Sequence, residues 1–307
     1  MNILVTGSAG MIGGYVVKGL IERGHTVIGV DRRVSHDNLE GFRQITLDLS
    51  VKEGVTKLFE NEKINRCIHL AALAHSINDV TWETLKKVNV DCSVNLFEAC
   101  AMFNVPVLFI SSVDAIGIVR GGIGPDTELN PISNYGKSKA MAEGRLKEIY
   151  KIWNNRASEG SSQACLTNAE HSGLSFGYNI YRFSPVYTAD KKRDIEKRYY
   201  LKFPKWAYKI GKGQKFEVLN ITGAVDAMVD WVDKEVDNTI HFIKDPELLD
   251  INDMIKTEKD SGRANHVLWF PRWIVICGYY MLWLVFGKSN KTYLVFKSLW
   301  PFRTMNS

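Results

Sequence analysis

A glycine-rich loop directly behind the first apolar segment constrains this chain more than any other feature. Asn2–Thr6 has the composition of a buried β-strand, and the loop Gly7-Ser8-Ala9-Gly10-Met11-Ile12-Gly13 follows it at once. Apolar residues then recur at helical spacing until Gly24 ends the pattern. In such a unit the glycines let the backbone approach a pyrophosphate, which the helix N-terminus holds with free N–H groups and its dipole. The loop predicts a dinucleotide site that includes Gly7, Gly10, Met11, Ile12 and Gly13.

Apolar, β-rich segments recur through the first two thirds of the chain, and helix-like stretches separate most of them. We predict strands at 3–6, 26–30, 44–47, 67–71, 105–111 and 179–183. Continuous apolar strands that alternate with amphipathic helices are typical of a parallel sheet covered on both faces. We therefore expect an α/β fold, a doubly wound parallel sheet, over residues 1–184 and a smaller substrate-binding lobe over 185–307. Residues 154–177, rich in Ser, Asn, Gly and Ala, are predicted to form a surface loop or insertion.

An acidic residue, Asp31, stands at the end of the second predicted strand. Its carboxylate can accept hydrogen bonds from both hydroxyls of a ribose and would repel a 2′-phosphate, which favours NAD. Arg32 and Arg33 favour NADP instead, because a guanidinium could pair with its 2′-phosphate. NADP therefore stays open as an alternative. Asp48-Leu49, behind the third strand, is placed to reach the adenine edge, although a simple helix cap explains Asp48 nearly as well.

A tyrosine and a lysine, Tyr135 and Lys139, stand four residues apart and hence on one face of a helix. A tyrosine at its ordinary pKa of ~10 is a poor base, and bringing that pKa near 7 needs ~4 kcal/mol of preferential stabilisation of the phenolate. The ammonium of Lys139 and an oxidised nicotinamide ring could supply it. Upstream, Ser111-Ser112 ends a predicted strand, where a hydroxyl could hold a substrate oxygen. Together with the glycine loop, this pattern indicates a hydride-transfer site.

At these positions the chain resembles the extended short-chain dehydrogenases/reductases, in the NAD-dependent epimerase/dehydratase family that acts on nucleotide sugars. The resemblance covers most of the chain and includes His69-Leu70-Ala71-Ala72, Val88-Asn89-Val90 and Arg182-Phe183-Ser184-Pro185-Val186-Tyr187. It implies a Rossmann-type fold and the catalytic trio Ser112, Tyr135 and Lys139. It further implies that the cofactor site is lined or supported by Leu70, Ala71, Ala72, Ala74, Asn89 and Ser184, with Ser184 near the nicotinamide.

The activity that the resemblance implies is NAD-dependent epimerisation at C4 of a UDP- or dTDP-hexose, in surface polysaccharide synthesis, by a cytoplasmic homodimer. An NAD(P)H-dependent 4-keto-sugar-nucleotide reductase is the alternative. Two further alternatives are a 4,6-dehydratase and a dinucleotide-binding protein without chemistry. The 4,6-dehydratases carry an Asp-Glu pair just behind the hydroxyl residue, whereas Val113 and Asp114 follow Ser112 here. The missing first acid argues against elimination of water from the sugar.

Positive charge is concentrated in one segment of the chain. Residues 191–215 contain ten lysines and arginines against Asp194 and Glu196, although the whole chain has a net charge of +5. Such a segment suits a localised anion better than a long polyanion, so we expect it to bind the diphosphate of a nucleotide sugar, with an aromatic residue stacked on the base, and expect no nucleic-acid partner. A solvated basic surface explains the same residues nearly as well.

The remaining features suit a cytoplasmic protein. The five cysteines include no CxxC pair, and His69 and His75 stand without further ligands at metal spacing, so we expect no metal site. Residues 273–287 carry no charge, but they fall short of the ~20 residues that a transmembrane helix needs. We expect a buried helix of the C-terminal lobe there. Contact with a membrane surface stays open because of the Trp and Tyr content.

Overall fold

The computed structural model describes residues 1–34, 39–74, 80–117, 119, 121–158, 176–188, 193–287, 289–301 and 303–304. Its centre is a seven-stranded sheet whose strands all run parallel, in the order β13-β7-β5-β4-β1-β2-β3. These strands are β1 Asn2–Thr6, β2 Thr26–Asp31, β3 Phe42–Thr46, β4 Arg66–His69, β5 Val107–Ser112, β7 Tyr178–Phe183 and β13 Ile240–Ile243. The order runs outward from β1 in both directions, which confirms the predicted doubly wound, Rossmann-type α/β fold.

Helices cover both faces of this sheet because each presents an apolar stripe to it. One core lies between the sheet and α2, α4 and α5, and the other lies between the sheet, α1 and α7. The helices are α1 Met11–Glu22, α2 Lys52–Asn61, α3 Trp82–Lys86, α4 Cys92–Met102, α5 Asn134–Ser158, α6 Arg193–Glu196, α7 Ile221–Trp231, α8 Ile251–Asp260, α9 Arg272–Phe286 and α10 Asn290–Leu299. A π-helical turn, Lys87–Asp91, leads into α4. Such turns occur frequently at functional sites.

Further short strands lie outside the large sheet, most of them in the last third of the chain. These strands are β6 Gly122–Ile123, β8 Val186–Tyr187, β9 Tyr200–Leu201, β10 Trp206–Ile210, β11 Lys215–Phe216, β12 Leu219–Asn220, β14 Leu249–Asp250, β15 His266–Phe270 and β16 Arg303–Thr304. The order β15-β10-β9 makes a three-stranded sheet in which β15 is an edge strand, and β16 pairs with β6. A third apolar core joins this sheet to α8.

The prediction for residues 154–177 differs in part from the result. The predicted loop at 154–177 is helical at its start, because α5 continues to Ser158, and residues 159–175 lie outside the described residues. His75 lies outside them as well.

The predicted burial of α9 is wrong. Tyr279 is the one buried residue of α9, all of whose residues the structure describes. A single seam of the helix packs against α10 and β10, and the apolar side chains outside that seam face solvent. None of the helices that the structure describes has both the length and the apolar character that crossing a bilayer requires.

Candidate active site

Two glycines let helix α1 begin in close contact with the loop that precedes it. Gly7 has a φ of 73°, and a Cβ built on Gly13 would lie 2.2 Å from the Gly7 carbonyl oxygen. Only glycine fits at either place, since the first needs a left-handed backbone and the second leaves no room for a methyl group. The helix begins behind Gly10 with no side-chain cap and no acidic residue in its first turn. Its N-terminal N–H groups therefore suit an anion.

A cavity of about 440 Å³ extends from this loop along the carboxyl ends of β1, β2 and β4. Of the predicted cofactor residues, those that line it are Gly7, Gly10, Asp31, Arg32, Asp48, Leu49, Leu70, Ala71, Ala72 and Ala74. Met11, Ile12 and Gly13 lie at the start of α1, beside the loop. The cavity joins an uncapped helix N-terminus to a strand-end carboxylate, which fits the pyrophosphate and the adjoining ribose of a dinucleotide.

The carboxylate of Asp31 is held in place on both of its oxygens. Oδ2 accepts a hydrogen bond from the Ala9 N–H at 3.2 Å, and Oδ1 accepts one from the Arg33 N–H at 2.9 Å. The Arg33 guanidinium lies 3.4 Å from Oδ1 and donates to the Ala9 carbonyl. Asp48 accepts from the Ser50 N–H, which lowers its pKa. The predicted cap is absent, because Val51 is the N-cap of α2 and no side chain caps this helix.

A chain of buried hydrogen bonds runs from the cavity wall into the protein. The Ala71 N–H donates to the Thr6 hydroxyl, which lies 2.6 Å from Nδ1 of His69, and His69 Nε2 lies 2.8 Å from the Ser93 hydroxyl. Burial lowers the pKa of His69 to about 3, so the ring is neutral. Because Ser93 donates its proton to the Asn89 carbonyl, the His69 proton is assigned to Nε2 and Nδ1 accepts from Thr6.

The same chain continues through Asn89 to the helix that carries Tyr135. Asn89 lies in the π-helical turn, where its side chain exchanges two hydrogen bonds with the backbone of Leu73 and donates to the Ser138 hydroxyl at 2.9 Å. Ser138 in turn donates to the Tyr135 carbonyl at 2.7 Å. Asn89 therefore stands behind the cavity wall and connects that wall to α5.

Lys139 presents a buried cation at the end of β5. Its ammonium donates to the Ile110 carbonyl at 2.8 Å and lies 4.8 Å from the centre of the Phe109 ring. Burial lowers the pKa of Lys139 to about 8, and the nearby carboxylate of Glu143 opposes that effect. The half-buried Tyr135 stands one helical turn before Lys139. A lysine whose pKa is shifted this far by burial at a strand end is a candidate functional residue.

We expect Lys139→Met to stabilise the free protein by about 2 kcal/mol at pH 7, since a buried cation is replaced by an apolar chain of similar length. The unfolded chain keeps this proton to higher pH than the folded protein does. The advantage of the variant should therefore shrink as the pH rises from about 8 towards 10.5. Urea unfolding at several pH values measures it. Lys151→Met, an exposed change on the same helix, should have little effect, and equal effects of the two changes would contradict the assignment.

A buried ion pair that the sequence did not reveal supports the same helix. Glu143 accepts two hydrogen bonds from Arg182, at 2.7 and 3.1 Å, and both side chains are buried. The Ser111 hydroxyl also donates to Glu143. Glu143 lies four residues after Lys139 and so on the same helix face as Tyr135 and Lys139. This spacing is the sequence pattern that could have identified Glu143 as part of the site.

Ser112 lies at the carboxyl end of β5, close to the start of α5. Its hydroxyl accepts a hydrogen bond from the Asp114 N–H at 3.2 Å. A Cβ on Gly136 would lie 2.1 Å from the Asp114 carbonyl oxygen, so glycine lets the Tyr135 turn approach the Ser112 turn. The predicted trio thus shares one region, and Ser184 follows Phe183, the register partner of Ser112.

Lys297 of the C-terminal helix reaches this region. Its ammonium lies 3.2 Å from the Asp114 carboxylate, and both side chains are largely buried. The contact joins α10 to the turn behind Ser112, and no short-range sequence pattern predicts it.

Part of the basic segment makes internal contacts. Lys202 pairs with Glu196 at 3.6 Å, and Lys215 pairs with Asp250 at 3.7 Å. The Arg198 guanidinium lies 4.7 Å from the centre of the Phe216 ring. Lys191 and Lys192 lie outside the described residues. Diphosphate binding by this segment stays a prediction.

Comparison with known proteins shows which family this chain is similar to. The profile of the NAD-dependent epimerase/dehydratase family matches residues 3–235. The UDP-glucose 4-epimerase of Lactobacillus helveticus is 33% identical over 156 residues, 47% of this chain and 45% of that protein. A decarboxylating sterol-4-alpha-carboxylate 3-dehydrogenase of Schizosaccharomyces pombe is 32% identical over 161 residues, 48% of this chain and 45% of that protein. The chain thus spans about half the length of the curated relatives it matches.

A solved structure extends the similarity in fold over most of the chain. The UDP-glucuronic acid 4-epimerase from Bacillus cereus, in complex with NAD, superposes with a TM-score of 0.68 at 21% identity. The superposition covers 89% of this chain and 88% of that one. At this identity the likeness establishes the fold.

Proposed function

This chain belongs to the NAD-dependent epimerase/dehydratase family, and from that premise we propose that it is an NAD-dependent nucleotide-sugar 4-epimerase. The observation that carries the proposal is the buried ammonium of Lys139, one helical turn from Tyr135 and at the same edge of the sheet as the glycine-loop cavity. The substrate class is a UDP- or dTDP-hexose, as the epimerases among the relatives suggest. Supply of such a sugar for surface polysaccharide is part of the same proposal.

The residues that would hold NAD are those of the cavity and the loop. The N-terminus of α1 would bind the pyrophosphate, and Asp31 would accept hydrogen bonds from the ribose. When bound, NAD would supply a hydride acceptor to the sugar.

Each residue of the trio has a distinct role at the sugar 4-hydroxyl. Tyr135 removes the proton from that hydroxyl as a general base and later returns it. Ser112 donates a hydrogen bond to the same oxygen and holds it in place. The Lys139 ammonium favours the phenolate form of Tyr135 by its positive charge and orients the ribose. Asp114 is paired with Lys297, which argues against its use as the acid in an elimination of water.

A panel of UDP-, dTDP- and GDP-hexoses tests the proposal. An epimerase returns the hydride to the sugar in each turnover, so catalytic amounts of NAD suffice and the absorbance at 340 nm stays constant. We expect chromatography to show interconversion of C4 epimers without a net change at that wavelength. If no hexose in the panel is epimerised under these conditions, the proposal is wrong.

A 4-keto-sugar-nucleotide reductase is the second candidate, and Arg32 and Arg33 favour it. Both arginines line the cofactor cavity, where a guanidinium could pair with the 2′-phosphate of NADPH. A reductase consumes one reduced cofactor per sugar. Stoichiometric oxidation of NADPH by a 4-keto-6-deoxy sugar nucleotide, with no epimer formed in the first panel, would establish this alternative.

Cofactor choice should depend on Asp31. We expect Asp31→Ala to weaken NAD binding by ~1–3 kcal/mol, because hydrogen bonds to a charged group are lost. The variant should also shift its preference towards NADP, since Arg32 remains to pair with the 2′-phosphate. Calorimetric titration with both cofactors measures the change. Asp91→Ala, which removes an exposed carboxylate outside the cavity, is the control. A wild-type protein that already prefers NADP tenfold would contradict this role of Asp31.

A further inference from the structure

Helix α9 carries a continuous apolar face that no described element covers. The exposed side chains are spaced one, three or four residues apart and so form one stripe of the helix: Trp273, Ile274, Cys277, Tyr280, Met281, Leu284 and Val285. Leu284 is 84% exposed and Met281 is 65% exposed. The surfaces of soluble proteins rarely expose a contiguous apolar stripe of this kind, so this face of α9 indicates a binding surface.

The edge strand β15 extends this face beyond the start of the helix. Trp269 and Phe270 are both exposed, and only Pro271 separates β15 from α9. The Trp269 indole donates to the Gly211 carbonyl at 2.7 Å, which fixes the ring beside the exposed Lys212. We call α9 and β15 together the C-terminal apolar surface.

The segment of sequence that contains this surface carries basic charge only. Residues 261–307 contain no Asp or Glu, and their six basic residues are Arg263, Arg272, Lys288, Lys291, Lys297 and Arg303. Arg272 begins α9, and Lys288 follows directly after Gly287 at its other end. An uncharged, aromatic-rich helix with a cation at each end complements the interface of an anionic bilayer, where acyl chains meet negative headgroups.

We propose that the C-terminal apolar surface binds to the headgroup region of a membrane rich in anionic phospholipid, with α9 lying in the plane of the interface. The fifteen residues of α9 span ~22 Å, less than the ~30 Å of a hydrocarbon core, so the helix lies on the bilayer and does not cross it. Trp269, Trp273 and Tyr280 would occupy the headgroup level, where such rings are enriched.

Charge also distinguishes the bilayer from a second copy of the chain. In a two-fold symmetric contact through this surface, the cations that flank α9, Arg272 and Lys288, would meet the same segment of the partner. No carboxylate of residues 261–307 is present to offset that repulsion. An anionic lipid surface instead attracts the two cations that flank α9 in the sequence, Arg272 and Lys288, whereas Arg263 and Lys297 pair with carboxylates of this chain.

Vesicle sedimentation with the full chain tests the proposal. We expect the protein to sediment with phosphatidylcholine vesicles that contain 30 mol % phosphatidylglycerol, and at least tenfold more weakly with phosphatidylcholine alone. The paired change Met281→Glu and Leu284→Glu should lower binding to the anionic vesicles at least tenfold, and 0.5 M salt should weaken wild-type binding. Both side chains are exposed, so the variant should keep its thermal stability.

The matched control is Ile152→Glu, which changes an exposed apolar residue of α5 in the same way and should leave vesicle binding unchanged. Equal sedimentation of the wild type and the paired variant would overturn the proposal, as would no sedimentation of the wild type. Light scattering that finds a wild-type dimer and a monomeric paired variant, with no vesicle binding by either, would assign the surface to a second copy. None of these outcomes depends on turnover, so they are separable from the proposed epimerase activity.

Discussion

Tyr135→Phe should lower turnover by about 10²–10⁴-fold, because the ring is kept while the group that exchanges the proton is removed. NAD binding should remain close to that of the wild type, since the cavity is lined by other residues. The measurements are kcat on the epimerised sugar and the dissociation constant for NAD.

The control for this prediction lies on the same helix. Tyr150 packs against Tyr178 and Phe176, away from the cavity, so Tyr150→Phe should retain nearly full activity. If Tyr135→Phe keeps more than a tenth of wild-type activity, Tyr135 is not the base.

Arg182→Met should lower the free energy of unfolding by about 3–5 kcal/mol, because it leaves the Glu143 carboxylate buried without its cation. Urea unfolding measures the loss. Arg145→Met is the matched control, since Arg145 pairs with Glu148 at 2.6 Å on the same helix but both side chains are exposed. That change should cost less than about 1 kcal/mol.

A double variant separates the cost of the buried charge from lost packing. Glu143→Leu together with Arg182→Met removes both charges and should recover much of the stability, because well-packed apolar residues replace a buried ion pair at little cost. A double variant that is as unstable as Arg182→Met alone would instead attribute the loss to packing.

Six of the seven strands of the large sheet could be predicted from the sequence because their signals are local, whereas β13 lies within 185–307, the range predicted to form the smaller lobe. Apolar segments gave the strand positions to within a few residues, although β3 begins at Phe42 and β5 includes Ser112. The glycine loop and Asp31 predicted which edge of the sheet carries the cavity, since carboxyl ends of parallel strands meet at one edge.

The supporting contacts could not be predicted in this way because their partners are distant in sequence. Thr6 and His69 are 63 residues apart, and Glu143 and Arg182 are 39 apart. Each polar side chain could equally have faced solvent, and only the packed fold brings it to its partner. The exposed face of α9 was missed for a related reason: an uncharged helix indicates burial but does not identify which of its faces another element covers.

Lys297 and Asp114 are separated by 183 positions, so synthesis supplies the lysine long after the carboxylate. The sheet strands and the Tyr135 helix are made before α10, and domains tend to fold from the N-terminus during synthesis. The nascent protein therefore passes through a stage in which the turn behind Ser112 exists without its cation. A chain interrupted before α10 would lack the ammonium that contacts the Asp114 carboxylate in the complete fold. The contact between α10 and the turn behind Ser112 is therefore among the last to form as the chain is made.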